Sequence, residues 1–153
     1  MIYRVLLGIH SWNRWVVLIL GIVLVAVAWQ KLMSRAHTSA TMSRFSIWFI
    51  TSVDIQFLLG IFLMFVSPVI ATFMNDPGAA MSRPSIRFWA VEHTSMMLIA
   101  TILAHVGRVM VKAAGDATVA HRRGAIMFTI ALIVILVSIP WPFREQGRAL
   151  FFF

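Results

Sequence analysis

Apolar residues fall into four long runs, roughly Ser11 to Met33, Phe45 to Val66, Arg87 to Val111 and Gly124 to Pro140, separated by polar, basic or proline-containing stretches. Each is close to the ~20 residues that cross the hydrocarbon of a bilayer. The pattern predicts an all-α integral membrane protein, a single antiparallel four-helix bundle in which the spans take up the chain and leave no room for a soluble domain. The first run continues well beyond a signal-peptide core, ends in Gln30 and Lys31 and lacks a small-x-small cleavage site, so it is expected to stay as a helix. The longest connector, SPVIATFMNDPGAAMSRPS (67–85), carries three prolines and a glycine and is expected to lie along the outer surface, with an interfacial turn at Val69 to Phe73. Ala113 to Ala120, with Gly115 and Asp116, reads as a helix stop and restart, and IPWPF (139–143) ends the fourth helix because neither proline can donate a backbone hydrogen bond.

Composition agrees with a bilayer as solvent: 61% of the 153 residues are hydrophobic and 12% are charged. The net charge of +8 does not imply nucleic acid, because the basic residues sit in connectors, where membrane topology accounts for them. Lys31, Arg35 and Arg44 follow the first span, and Arg108, Lys112, Arg122 and Arg123 follow the third, which makes these two connectors cytoplasmic. Both termini are then expected in the periplasm, with the chain in a bacterial inner membrane. Trp12, Trp15, Trp89 and Trp141 are expected in an outer aromatic belt and Trp29 and Trp48 in an inner one. The ten methionines are dispersed and read as packing. With no cysteine, disulfides, thiolate metal sites and covalent c-type haem attachment are excluded.

Only five residues are acidic, and Asp54 and Glu92 both fall inside expected spans, where a charge near the middle costs at least ~2.5 kcal/mol. Counting helical rise from Lys31 and Arg108 puts Arg14 roughly 25 Å and Glu92 roughly 24 Å above the inner face. An Arg14–Glu92 ion pair between the first and third spans is therefore open to them. His93 lies just below that level, and His10 lies one turn outward of Arg14 on the same helix face. Two neutral imidazoles, an apolar slot and cations near its rim are what a single b-type haem requires. His10 and His93 are the candidate axial ligands, with Arg14, Trp12 or Arg87 near the propionates. The same count separates the two histidines by roughly 9 Å, so the helices must tilt or slide for both to reach one iron. His105, twelve residues after His93, turns about 120° away and is not expected to share the site. His37 and His121 read as solvated connector residues. Asp54 and Gln56, near mid-membrane, read either as a proton route or as structural groups bonded to Ser or Thr of another helix.

HSWNRWVVLI (10–19), DIQFLLGIFLMFVSP (54–68), RFWAVEHTSMMLIA (87–100) and IPWPF together resemble small bacterial four-helix membrane proteins described as cytochrome B-like. The stretch QFLLG (56–60) and the helix order are also similar to one half of haem A synthase, and the bundle to cytochrome b561-type bundles. The resemblance implies haem, with His10 and His93 as ligands and Arg14 and Glu92 as their supporting pair. The leading expectation is thus a b-type membrane cytochrome moving electrons between a quinol and a partner redox protein. No nucleophile, base pair or metal-water site points to other catalysis. The rival expectations are a structural or pigment-binding subunit of a larger respiratory or photosynthetic complex, and a proton or small-solute pathway through Asp54, Gln56 and Glu92. A homodimer is open to a bundle this small.

Overall fold

The structure is a computed structural model and describes residues 1–149. Six helices follow one another: α1 (Ile2–Met33), α2 (Ala40–Val66), α3 (Pro68–Asn75), α4 (Pro77–Met81), α5 (Pro84–Lys112) and α6 (Ala117–Ser138). Four of them, α1, α2, α5 and α6, are long and apolar enough to cross a membrane, and no strand is present among the described residues. They make the expected all-α antiparallel bundle. Its neighbouring pairs are α1 with α2, α1 with α6, α5 with α6 and α2 with α5, so α1 and α5 are parallel and face each other across the diagonal.

The helices outrun the apolar patterns. α1 starts nine residues before Ser11, because nothing between Ile2 and His10 stops a helix and Ser11 makes no cap. α6 starts at Ala117, where the Asp116 carboxylate accepts from the Val119 N–H (2.9 Å) and caps the helix. That early start corrects the reading of His121, which lies in the first turns of α6, wholly buried, with the Thr38 backbone near enough to act on its ring. The connector turn expected at Val69 to Phe73 is part of the longer helix α3, entered through Pro68 in its first turn.

The core is densest toward the end that carries the basic connectors. Phe49 of α2 meets Phe128 of α6 edge to face at 6.3 Å, while buried Ala28, Ala104 and Ala125 let the backbones approach. At Gly107 an added Cβ would lie 2.9 Å from the Met127 Cβ, so only glycine permits α5 and α6 to pack this closely. At the opposite end the helices part around a cavity of about 220 Å³, bounded by α1, α2 and α5 and closed by the end of α6.

Candidate functional site

His10 and His93 meet in this cavity. Their ring centroids are 6.5 Å apart and their planes cross at 70°. Helix α1 ends at Met33 and α5 at Lys112, so aligning the helix ends leaves an offset of roughly 6 Å between the two residues, less than the count from Lys31 and Arg108 implied. The rest lies within the reach of side chains and helix tilt.

Each histidine is held by a neighbouring helix. Nδ1 of His93 lies 2.9 Å from the Ser138 carbonyl at the end of α6. A carbonyl can only accept, so the proton sits on Nδ1 and the Nε2 lone pair is left open. His10 is placed through its backbone: Gln56 of α2 donates to the His10 carbonyl (2.9 Å), and Asn13 donates to the Gln56 side-chain oxygen (2.9 Å) and to the Ser52 carbonyl (3.0 Å). These bonds lock α1 to α2 at the level of the ring. Nδ1 of His10 is buried without a hydrogen bond, although the Gln56 carbonyl lies near enough to act on the ring. Gly60 passes beside it, with an added Cβ 3.6 Å from Cε1.

The approach to His93 is a wide π-helical turn, Phe88–Glu92, in which the His93 N–H reaches back five residues to the Phe88 carbonyl. Such turns alter which side chains share a face. Here Phe88 (5.9 Å) and Trp89 (5.5 Å) come against the His93 ring. The guanidinium of Arg148 covers Trp89 at 4.1 Å from the ring centre and lies 3.4 Å from the Tyr3 hydroxyl, to which it donates. Arg148 and Arg14 both line the cavity, and among the described residues no carboxylate does.

Several expectations are corrected. Glu92 does not support Arg14; it pairs with Arg87 at 2.7 Å on the exposed side of α5. Five residues make little more than one turn of the widened segment, which brings this pair onto one face. Adjacent residues on a helix point about 100° apart, so His93 can enter the bundle only as Glu92 leaves it. Arg87 is therefore spent outside the cavity, and Arg148 is the second cation within it. Trp12 lies half exposed on the outer side of α1, outside the cavity, whereas Trp89 lines the cavity. The proposed trio of Asp54, Gln56 and Glu92 is not assembled. Gln56 is bound to Asn13 and His10, Glu92 to Arg87, and Asp54 to His105 of α5, not to a Ser or Thr (Oδ1 to Nε2, 2.8 Å). His105 stays outside the cavity, as its spacing from His93 predicts.

Among the described residues no cluster of three or more His, Cys, Asp or Glu side chains is present. A bare zinc or similar ion needs about four ligands, which two imidazoles do not supply. A haem iron takes four nitrogens from its own macrocycle and only two from the protein. The donor set is therefore short for a naked ion and complete for a haem. Compared with protein-family models, with characterised proteins and with solved structures, the chain gives no match, so the resemblance drawn from its motifs rests on those motifs alone.

Proposed function

We propose that this chain is a b-type membrane cytochrome that binds a single haem b between His10 and His93 and passes electrons between a quinol and a partner redox protein. The observation that carries the reading is the 6.5 Å separation of the two rings, on different helices, inside a largely apolar cavity. Two iron–imidazole bonds of roughly 2 Å, plus a little over 1 Å from each nitrogen to its ring centre, give roughly 6.3 Å between centroids.

When bound, haem supplies one-electron chemistry. The chain's own residues bind, orient and enclose it. The Ser138 carbonyl fixes the His93 proton on Nδ1 and presents Nε2, and the Gln56–Asn13 bonds set the height of His10. Arg14 and Arg148 offer positive charge to carboxylates, and the apolar walls keep water away. With the basic connectors in the cytoplasm, the site lies in the periplasmic half of a bacterial inner membrane, and both termini are periplasmic.

The test is an absorbance spectrum of protein purified from haem-replete cells, oxidised and then dithionite-reduced. A Soret band and sharpened visible bands on reduction are expected. A colourless, stably folded preparation overturns the reading.

A further inference from the structure

The Asp54–His105 pair takes no part in the haem reading and is oddly placed. Asp54 is the fifteenth of 27 residues in α2, near mid-membrane, yet both side chains are almost half exposed, 43% and 49%, on the bilayer-facing seam between α2 and α5. Ionisable groups at that depth normally face the bundle interior or pair out of contact with lipid. Here α2 and α5 are the least closely packed of the neighbouring spans. The cavity reaches their seam: Phe57 and Ile61 of α2 and Leu98 and Thr101 of α5 line it, and Leu98 is exposed on its outer side. Asp54 precedes Phe57 by three residues and His105 follows Thr101 by four, so the pair sits one turn below this lateral opening, like a sill.

The chemistry of the pair narrows what would use it. Nε2 of His105 is taken by Asp54, and Nδ1 has no hydrogen bond among the described residues. With one proton on the pair, on Nε2, Nδ1 accepts a hydrogen bond; with a second proton on the pair, Nδ1–H donates one. One nitrogen of a half-exposed ring thus serves a hydroxyl or a carbonyl, according to whether the pair holds one proton or two. A ligand reaching it from the bilayer must be lipid-soluble and carry a hydroxyl or carbonyl on its head group.

We infer that the Asp54–His105 pair anchors the head group of a quinol or quinone that enters from the bilayer through the seam between α2 and α5. The inference rests on the cytochrome reading for its purpose and gives the quinol of that reading a place to bind.

The experiment is photolabelling of the full chain in lipid nanodiscs with an azido-substituted ubiquinone, competed by decylubiquinol and mapped by mass spectrometry. Competed label is expected on residues 54–61 or 97–105. Asp54→Leu and His105→Phe, apolar replacements that a bilayer tolerates, are expected to cut it at least tenfold. Label elsewhere, or equal label in wild type and both variants, overturns the inference. So does a disulfide between two copies of Ile102→Cys, an exposed position of α5 one turn from His105, in unlabelled nanodiscs, which would mean that a second copy covers the seam. Should the variants fail to fold, the wild-type map still decides. The Soret band of the same samples tests the cytochrome reading separately: competed label without a Soret band sinks that reading alone, and a Soret band with label insensitive to both variants sinks this inference alone.

Discussion

Gly60 offers a graded test of whether the space beside His10 is a binding site or incidental looseness. A Cβ placed there would lie 3.6 Å from Cε1 of the imidazole, an ordinary van der Waals contact. Gly60→Ala should therefore leave His10 where it is, and helix propensity even favours alanine by ~1 kcal/mol. Gly60→Phe is different, because the position lines the cavity and the ring must enter the space beside His10. Overpacking of this kind costs ~1–3 kcal/mol. If it falls on the haem-bound form, affinity drops by roughly 5- to 150-fold. The assay is haem per protein by pyridine haemochrome, with thermal stability measured alongside to separate loss of ligand from loss of fold. Alanine should match wild type, and phenylalanine should fold but lose most of its haem. Full haem in Gly60→Phe would refute the reasoning, as would loss of haem in the alanine variant.

His93→Ala should lose the six-coordinate Soret signature while His105→Ala keeps it, since the latter ring lies outside the cavity; equal loss in both would contradict the ligand assignment. Arg148→Leu removes a cation from the cavity without touching either imidazole. Its haem affinity should fall about fivefold, ~1 kcal/mol for a charge near the solvent, and its midpoint potential, read by redox titration, should move negative. Glu92→Gln should leave haem content and spectrum unchanged, because its partner Arg87 is on the exposed side; a spectral change would restore the abandoned Arg14–Glu92 support. Gly107→Val should cost ~1–3 kcal/mol through its clash with Met127, seen as a lower thermal midpoint in detergent with or without haem.

The bundle could be read from the sequence because backbone satisfaction in lipid leaves few alternatives to helices, and four apolar runs of spanning length admit a simple arrangement. Helix ends were less legible, since their start depends on what stops a helix and not on hydropathy; Ile2 and Ala117 both precede the apolar runs. His10 and His93 stood out as intramembrane histidines, and residue counting brought them near one level. Counting could not choose between Glu92 and His93 as the inward residue. The choice turns on a widened turn that no sequence rule marks, although two bulky aromatics, Phe88 and Trp89, fall inside it. Arg148 was hidden for another reason. As a tail charge it carries no helical address, and only the return of the chain past Pro140 brings it over Trp89. Asp54 and His105 lie 51 residues apart, and their contact depends on the rotation of α2 against α5, which apolar runs exposed to lipid do not encode.

The two halves of the bundle also differ in what holds them. Lipid exerts no hydrophobic pressure to close a gap between helices, so packing, hydrogen bonds and small residues decide how near they come. At the basic end Gly107 and buried alanines bring the backbones together. At the other end the contacts are specific polar bonds, Asn13 and Gln56 between α1 and α2, and His93 to Ser138 between α5 and α6. Each bond joins a helix that carries His10 or His93 to a helix that carries neither, and His10 and His93 meet through their ring contact. The diagonal pair α1 and α5 is thus held apart at a set height while the adjacent pairs are tied. Small residues lie at this level too, Gly60 beside His10 and buried Ala100 on α5, yet the helices do not close over the cavity. The polar bonds there instead keep two rings facing each other across an apolar gap, a geometry that serves a ligand between them better than it serves the fold.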